Sequence, residues 1–505
     1  MQKFSCFLFT SFILIGILER CADFNSSSND EKLAQRVCGS CHTYPDPTSL
    51  PKEYWQNHIF PSMAKFMGRY VSEYSRDSLF EKGEGGEKVK RAGVFPEHPI
   101  LSDDEWNKIY RYYLSKAPNS LPSKVSKYPL LETLFSIETP VRIKDKASTT
   151  LLKWTKNGNL IYGDAGVGNF IEFGSRFVTK KIGELEQAPV HFIQGHNEDI
   201  VTVMGSFSPT DAATGMLLAL PSDERMPPAL LVDKLQRPVH TTVADLDKDG
   251  KEELIVCEFG KFTGSLSLFS GNRDQGFKES KLSTTPGALK CYIADLNADG
   301  RLDIVALFGQ ARERIEVFLN QGRLNFKSLV LLEFPPYYGS SGFQLKDIDG
   351  DGDEDIIYTA GDNADYDPIV KPFHGIYVFE NTGNLRFIQK YFLPMPGAYA
   401  AHLADFDLDG KLDLLGVSFF PDWTVSQPAD CLLWKGNGKG FSKPAQLPFS
   451  HLGRWIVSDI GDCDGDGDTD VILGSLMLEV KPDKGQMNQW LKEKTPFVVL
   501  KNKTK

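Results

Sequence analysis

The first 120 residues place hydrophobic positions at helical spacing. In the segment that begins at Ser102, the side chains of Trp106, Ile109 and Tyr113 recur at intervals of three and four residues, so they share one face of a helix. Ser102 also opens a capping-box pattern, which is typical of a helix N-terminus. Together with a short apolar stretch near residue 35, this pattern predicts a small all-α domain over residues 31–120.

From about residue 130 the pattern changes to short β-branched strands that alternate at period two. One acidic loop recurs five times between such strands, and the first Asp residues of successive copies are 50, 52, 58 and 57 residues apart. This is about the length of a four-stranded propeller blade. Two degenerate units, near residues 154–166 and 197–201, precede the five. We therefore predict an all-β seven-bladed propeller over residues 130–500, closed by a strand near 130–141 or 497–500.

The recurring loop has the residue types of a calcium site. Carboxylate or amide oxygens stand at positions 1, 3 and 5, glycine at position 6 permits a sharp turn, and an acid stands at position 9. An EF-hand needs its last acid at position 12 and a following helix, whereas a strand follows here. A plain Asp-Gly turn explains one copy but not five in register. The predicted ligands are Asp245, Asp247, Asp249, Glu253, Asp295, Asn297, Asp299, Asp303, Asp347, Asp349, Asp351, Asp355, Asp405, Asp407, Asp409, Asp413, Asp462, Asp464, Asp466 and Asp470.

These loops resemble those of the FG-GAP/VCBS repeat family, the integrin-α type of propeller. The resemblance spans about residues 140–475, and it implies the propeller fold and the calcium sites. It implies no particular activity, because propellers serve both binding and catalysis.

The N-terminal segment contains Cys38-Gly-Ser-Cys41-His42. Two thiols spaced in this way can each bond one haem vinyl group, and the adjacent His42 then becomes the proximal iron ligand. A redox pair or half of a zinc site are the alternatives, and the following histidine favours haem c. The segment resembles class I cytochromes c over residues 31–118, which implies an irregular loop around the haem over the glycine- and charge-rich residues 69–99.

Three side chains are candidates for the sixth iron ligand. Met63 and Met67 are spaced i, i+4 and face the same way on a helix, and a thioether ligand suits an electron carrier. We rank Met63 first, Met67 second and His58, which gives bis-histidine ligation, third.

Residues 1–20 have the features of an export signal, with Lys3 followed by an apolar stretch that is too short to span a bilayer. Cys21 and the polar tether to residue 30 resemble a bacterial lipoprotein N-terminus, although Glu19 and Arg20 depart from the usual small residues. We expect an exported bacterial protein, periplasmic or at the outer membrane or cell surface, with membrane anchoring through lipidated Cys21 or simple signal cleavage as alternatives.

The remaining cysteines and the charge add two constraints. Cys257, Cys291, Cys431 and Cys463 are scattered singly, so we expect buried free thiols. The net charge of −11 argues against a nucleic-acid partner.

Residues that precede the loops form a candidate ligand face near the channel mouth of the propeller; the alternative, which we favour, is that they are rim residues whose polar groups are satisfied within the protein. Its predicted members are His191, Arg237, His240, Lys290, Tyr399, His402, Arg454 and Trp455. We expect electron transfer with a redox partner protein or electron donor. The alternatives are a haem-linked oxidoreductase that acts on a small molecule or sugar, and a cell-surface adhesion protein.

Overall fold

The computed structural model describes residues 29–71, 75–122, 127–131, 133–185, 187–195, 198–221, 227–364, 369–477 and 485–505. The predicted signal, the tether up to residue 28 and Cys21 lie outside the described residues. The chain divides into two compact units, Met1–Leu79 with Gly93–Pro122, and Phe80–Ala92 with Ser123–Lys505. Within the described part, no helix is long and apolar enough to cross a membrane.

The first unit is helical. Its elements are a helix over residues 29–38, a 3-10 turn Pro47–Ser49, a continuous stretch formed by Lys52–Tyr54, the π-helical Trp55–Ile59 and Phe60–Phe66, a 3-10 turn Arg76–Leu79, and the helix Asp103–Lys116. The capping box is confirmed, because the Ser102 side chain accepts from the Glu105 amide and the Glu105 carboxylate accepts from Ser102. Phe60 lies against the rings of Trp106, Tyr110 and Tyr113, with centroids 5.0 to 5.5 Å apart.

The second unit is a β-propeller of seven four-stranded antiparallel sheets, as the repeat spacing predicts. In chain order the strands are β1 (Phe135–Glu138), β2 (Thr149–Trp154), β3 (Leu160–Asp164), β4 (Asn169–Phe173), β5 (Thr179–Glu184), β6 (Pro189–Ile193), β7 (Asp199–Val203), β8 (Gly215–Leu220), β9 (Ala229–Leu235), β10 (Pro238–Ala244), β11 (Glu253–Glu258), β12 (Ser265–Asn272), β13 (Gly276–Ser283), β14 (Ala288–Ala294), β15 (Asp303–Phe308), β16 (Arg314–Asn320), β17 (Phe326–Glu333), β18 (Ser340–Lys346), β19 (Asp355–Ala360), β20 (Gly375–Asn381), β21 (Phe387–Pro394), β22 (Ala398–Ala404), β23 (Asp413–Ser418), β24 (Cys431–Trp434), β25 (Ala445–Gln446), β26 (Trp455–Gly461), β27 (Asp470–Ser475) and β28 (Phe497–Asn502). A short helix, Gln486–Glu493, precedes the last strand, and a 3-10 turn, Ser175–Phe177, precedes β5.

Blades 1 to 6 are β2–β5, β6–β9, β10–β13, β14–β17, β18–β21 and β22–β25, each in sequence order. Blade 7 has the order β1-β28-β27-β26, so its outermost strand comes from the start of the propeller sequence. Both segments proposed for ring closure therefore take part. β1 pairs with β28 from Phe135 opposite Asn502 to Glu138 opposite Val499.

Burial explains why the strands form where they do. The second strand of each of blades 3 to 7 is buried along its whole length, as in β15 and β23, and reads as a continuous apolar run after its first acid. Outer strands such as β13 are largely exposed and polar. The cores lie between adjacent blades, because each apolar cluster draws on two neighbouring sheets. The first strands contact one another around the ring and surround its axis.

The expectation of an irregular loop over residues 69–99 is wrong in part. Glu84–Arg91 is a helix, and the segment Phe80–Ala92 belongs to the second unit. Local propensity argues against this helix because Gly85 and Gly86 are poor helix formers. The packing of this helix against the segment around Ala212 requires glycine, since a Cβ on Gly85 would lie 2.7 Å from the Ala212 amide nitrogen. The Glu81 carboxylate fixes the segment by accepting from the Asp211 amide at 2.9 Å.

Candidate functional site

The five acidic loops occupy the same place in five successive blades. Each joins the first and second strands of blades 3 to 7, so all five lie on one face of the propeller. Position 1 directly follows the first strand, as Asp245 follows β10. Position 9 begins the second strand, as Asp303 begins β15.

The carboxylate at position 1 organises each loop. In blade 3, Asp245 accepts from the amides of Asp249 at 3.1 Å and Gly250 at 3.0 Å. The same carboxylate in blade 5, Asp347, accepts from Gly350 at 2.7 Å and Gly352 at 3.1 Å. These bonds curl the backbone around the carboxylate and bring the side chains at positions 1 and 3 together.

The backbone is left-handed at positions 4 and 6 of every loop. Position 6 is glycine throughout, and position 4 is glycine only in blades 5 and 7, where Gly350 and Gly465 have φ values of 80° and 82°. Lys248, Ala298 and Leu408 occupy position 4 elsewhere with φ between 55° and 62°. Non-glycine residues at such angles cost about 1 kcal/mol each. The sequence motif shows the glycine at position 6 but not this second turn.

Four of the five loops bring three carboxylates together, with ligand oxygens within 4.8 Å of one another. The groups are Asp245, Asp247 and Glu253; Asp347, Asp349 and Asp351; Asp405, Asp407 and Asp413; and Asp462, Asp464 and Asp470. In the blade 4 loop, the Asn297 amide instead donates to Asp299 at 3.1 Å, and Arg301 forms an ion pair with Asp299.

The acid at position 9 does more than the sequence suggests. In blade 4, one oxygen of Asp303 accepts from the amide of Leu296 at 3.2 Å, and the other accepts from the amide of Asn320 at 2.8 Å. Asp355, Asp413 and Asp470 form the same two bonds in their own blades. Burial raises the pKa of all four carboxyl groups. This residue therefore ties the loop to the third strand of its own sheet.

An asparagine at the end of the third strand is a structural residue that the sequence analysis missed. The Asn320 side-chain amide donates to the carbonyl oxygen of Leu246 at 2.8 Å, which lies in the blade 3 loop. Asn502 donates in the same way to the carbonyl oxygen of Phe406 in the blade 6 loop, also at 2.8 Å. The signal is the recurrent ending of the third strand in Asn, as in Arg314–Asn320, Gly375–Asn381 and Phe497–Asn502. Asn320 and Asn502 therefore tie their blades to the loop of the preceding blade.

Basic side chains already neutralise part of four loops. Ion pairs join Lys251 to Asp249, Arg301 to Asp299, Lys435 to Asp407, and Lys501 to Asp464. Among the described residues, no ion pair engages Asp347, Asp349 or Asp351 of the blade 5 loop. Asp353 and Glu354 add further negative charge to that loop. The blade 5 loop therefore has the strongest need for a cation.

In the first unit, the Cys38–His42 motif lies where the helix over residues 29–38 ends. Cys38 is half-buried, Cys41 is exposed, and both are free thiols. Burial raises the pKa of the Cys38 thiol, an effect partly offset by a hydrogen bond with Tyr113. The His42 Nδ1 lies 2.9 Å from the carbonyl oxygen of Thr43 and donates to it, so the lone pair is on Nε2.

The three candidates for the sixth ligand all lie on one helical stretch. Met63 is in the helix Phe60–Phe66, and Met67 follows it as the C-cap residue; both are half-buried. His58 is in the π-helical turn, and its ring contacts that of Tyr54 with centroids 4.8 Å apart. The ranking of the three stays a prediction.

Six members of the predicted ligand face lie on first strands around the propeller axis, among them His191, His240, Lys290 and His402. The rings of His191 and His240 have centroids 4.1 Å apart, and the Lys290 ammonium lies over the ring of Tyr292. Burial, followed by the charge of Lys290, lowers the pKa of His191 and His402 to about 3. Burial also lowers the pKa of His240 well below its usual value. His402 Nε2 lies 2.7 Å from the Ser458 hydroxyl. These histidines are neutral at physiological pH.

The other members play structural parts. Trp455 is wholly buried and its indole donates to Asp430, so the expectation that it contacts a ligand is wrong. Arg454 is 1% exposed, stacks on Phe419 and donates to its carbonyl oxygen, and burial lowers its pKa to about 9.

Arg237 and Tyr399 also make contacts within the propeller. Arg237 donates to the carbonyl oxygen of Gly260 at 2.7 Å. Tyr399 contacts the ring of Phe419, with centroids 5.6 Å apart. The sequence does not distinguish such residues from channel-facing ones because strand register decides which side a residue faces.

Comparison with known protein families identifies the repeats. A model described as FG-GAP-like repeat matches residues 245–306 and 295–358, which contain the loops of blades 3, 4 and 5. The chain carries FG-GAP-like repeats. The matched residues include the position 9 acids Glu253, Asp303 and Asp355 and the third-strand Asn320.

No curated protein matches the chain. Among solved structures, a streptogramin B lyase is 13% identical, with 73% of this chain and 98% of that one covered and a TM-score of 0.45. Virginiamycin B lyase from Staphylococcus aureus is 9% identical, with 72% and 98% covered and a TM-score of 0.45. A BBS1N–ARL6DN complex is 10% identical, with 73% and 97% covered and a TM-score of 0.44. No function is inferred for this chain from likenesses so distant.

Proposed function

We propose that this protein is an exported c-type cytochrome that transfers electrons, with a calcium-stabilised propeller that binds a partner or ligand. The observation that carries the proposal is the Cys38-Gly-Ser-Cys41-His42 motif at a helix end, with His42 Nδ1 bound to a backbone carbonyl. That bond fixes the tautomer whose Nε2 can bind a metal, as is usual for ligating histidines.

The side chains at this site fit haem c. Cys38 and Cys41 would hold the porphyrin through thioether bonds, and His42 would bind the iron through Nε2. The haem would supply one-electron chemistry. The protein supplies an aromatic wall beside Cys38, in which the Trp55 and Tyr113 rings have centroids 4.6 Å apart. Tyr113 also donates to the carbonyl oxygen of Pro45 at 2.7 Å and so holds the turn that follows the motif.

Covalent haem is the direct test. The full chain is expressed with its export signal in a host that matures c-type cytochromes, and haem is measured by pyridine haemochrome absorption and by mass after denaturation. We expect about one haem per chain in the wild type and none in Cys38→Ala/Cys41→Ala. The matched control is Cys431→Ser, which alters a buried thiol of the propeller and should keep its haem. A haem-free wild type under these conditions refutes the proposal.

The sixth ligand is tested on the same holoprotein. A Met–iron bond gives a long-wavelength charge-transfer band, which should disappear in Met63→Ala and persist in Met67→Ala and His58→Ala. Loss of the band in Met67→Ala alone assigns the ligand to Met67. Absence of the band in the wild type removes methionine ligation.

We place the strongest calcium site in blade 5. There Asp347, Asp349 and Asp351 converge, and no ion pair within the described chain relieves their repulsion. Hard carboxylate oxygens in a flexible loop favour Ca²⁺. Calorimetric titration of the chelator-treated chain with Ca²⁺ should resolve a tightest binding site, which we assign to blade 5. Asp349→Asn should weaken the affinity of that site for Ca²⁺.

The matched control for this titration is Asp353→Asn, at position 7, where the expected ligand is the backbone carbonyl. This substitution removes a similar charge but should retain the site. If chelation leaves the melting temperature of the propeller unchanged, structural calcium is refuted.

Anchoring at a membrane is a separate part of the proposal. Cys21 follows the export signal, and lipidation there would hold the protein at the bacterial surface or outer membrane. Metabolic labelling with a radioactive fatty acid should mark the wild type and not Cys21→Ser. Labelling equal to background in both variants indicates simple signal cleavage and a periplasmic protein.

A further inference from the structure

A histidine and two cysteines lie together where blades 3 and 4 meet. His240 is on β10 and is the register partner of Cys257 on β11, so both belong to blade 3. Cys291 is on β14, the first strand of blade 4, and its Sγ lies 3.7 Å from His240 Nδ1. The ligand atoms of all three lie within 4.8 Å of one another. The cysteines are 34 residues apart in the sequence, which is why their spacing suggests no pairing.

The surroundings of this group are dry and apolar. Cys257 is 0% and Cys291 is 1% exposed, and both belong to the apolar cluster that contains Ile255 and Phe308. Burial, followed by the neighbouring Cys291, raises the pKa of the Cys257 thiol well above its usual value. Two thiols and an imidazole thus face one another in a core that otherwise consists of aliphatic and aromatic side chains.

A further imidazole stands beside the group. His191 on β6 has its ring centroid 4.1 Å from that of His240. Its Nδ1 is buried and, among the described residues, has no hydrogen-bond partner. An unpartnered nitrogen in such a place costs free energy unless something binds it.

We propose that His240, Cys257 and Cys291 form a buried Zn²⁺ site in the wall of the propeller, separate from the acidic loops. Sulfur and imidazole ligands select zinc over calcium, whereas the carboxylate loops select calcium. Binding transfers the two thiol protons to solvent and forms two zinc–sulfur bonds and one zinc–nitrogen bond, with no change of oxidation state. The ion would tie blade 3 to blade 4.

The test uses the full chain with Cys38→Ser/Cys41→Ser, so that the N-terminal thiols cannot bind metal. Calcium is kept saturating to occupy the loops. Zinc is measured by elemental analysis after incubation with Zn²⁺ and desalting, and Co²⁺ is used as a probe of thiolate ligation. We expect about one zinc per chain and a cobalt–thiolate charge-transfer band. Both should be lost in Cys291→Ser.

Cys431→Ser is the matched control, because Cys431 is also wholly buried but lies in blade 6. It should retain the zinc. Because Cys291→Ser could fail to fold, thermal unfolding is measured for every variant with and without Zn²⁺. Zinc should raise the melting temperature only of the Cys38→Ser/Cys41→Ser parent and of its Cys431→Ser derivative. Equal zinc contents in this parent and in its Cys257→Ser/Cys291→Ser derivative overturn the proposal. A disulfide between Cys257 and Cys291, found by peptide mapping of the exported protein, overturns it as well.

Discussion

Removing the Asn502 side chain should weaken the closure of the propeller. Asn502 ends β28, the strand that pairs with β1, and its side chain is 1% exposed. Its amide donates to the carbonyl oxygens of Phe406 at 2.8 Å and Thr469 at 3.1 Å. Its oxygen accepts from the amides of Lys503 at 2.8 Å and Thr504 at 3.2 Å and from the Thr504 hydroxyl at 2.8 Å. Asn502→Ala deletes all five bonds and leaves buried carbonyl groups without this donor.

The magnitude follows from the number of bonds. A buried hydrogen bond contributes about 1 kcal/mol net, so Asn502→Ala should cost about 5 kcal/mol. Asn381 occupies the equivalent position in blade 5 and is 3% exposed, but its amide donates only at 3.3 Å to Glu354 in its own blade. Its oxygen accepts from Gly383 at 3.1 Å. Asn381→Ala removes only these two bonds and should therefore cost about 2 kcal/mol. Both side chains are buried, so the difference reflects the bonds that Asn381 lacks, which include the tie to the neighbouring blade.

The assay is equilibrium unfolding in denaturant at saturating calcium, followed by the fluorescence of the buried propeller tryptophans. Hydrogen exchange then locates the effect. Asn502→Ala should speed the exchange of amides in β1 and β28. Asn320→Ala breaks a tie of the same kind between blades 3 and 4 and removes three hydrogen bonds, so it should cost about 3 kcal/mol without that local acceleration.

Equal losses in Asn502→Ala and Asn381→Ala would refute the reasoning, because they would show that the bond to the neighbouring loop contributes nothing. A loss in Asn502→Ala without faster exchange in β1 and β28 would show that the side chain does not act at the closure.

Three further substitutions test other features. Burial raises the pKa of Asp430 to about 8, so between pH 4 and 8 its carboxyl group is ionised in the unfolded chain but protonated in the folded one. The free energy of unfolding therefore falls by about 1.4 kcal/mol for each unit that the pH rises. Asp430→Asn should remove this slope from pH-dependent unfolding curves, and an unchanged slope would contradict the assignment. Gly397→Ala places a Cβ 2.0 Å from a backbone oxygen, whereas the Cβ of Gly276→Ala meets nothing within 4 Å at a similar positive φ. In the same unfolding assay, Gly276→Ala should cost roughly 1 kcal/mol and Gly397→Ala several times as much. Equal costs would show that the contact relaxes freely. Ser102→Ala should cost the first unit about 1 kcal/mol, measured by its helical circular dichroism on heating, and Ser102→Thr should restore most of it.

The sequence predicts the propeller well because its signal is repeated. Five loops at blade-length intervals each start a buried strand, so one motif fixes the register of the first two strands in five blades. The same repetition reveals the acidic ligands, which the structure gathers in four loops as positions 1, 3 and 9 in blades 3, 6 and 7 and as positions 1, 3 and 5 in blade 5. The capping box at Ser102 is equally local, and local patterns survive folding.

Features that depend on contacts between distant segments could not be predicted. The helix Glu84–Arg91 contains two glycines that local propensity disfavours, and it exists because Gly85 approaches the Ala212 backbone. Trp455 precedes a loop as His240 does in its own blade, yet one is wholly buried and the other lies near the axis. Cys257 and Cys291 meet only because adjacent blades stack. In each case the deciding partner lies tens of residues away in the sequence.

The sharing of blade 7 between the two ends of the propeller sequence has a consequence for biogenesis. A nascent chain emerges N-terminus first, and β1 emerges more than 350 residues before its partner β28. Until the last strand has emerged, β1 is an unpaired edge, open to mispairing or to proteases. Loss of even the final ten residues, which carry β28, would leave every other blade intact but the ring open. Assembly of the propeller therefore ends in one late pairing event between its first and last strands.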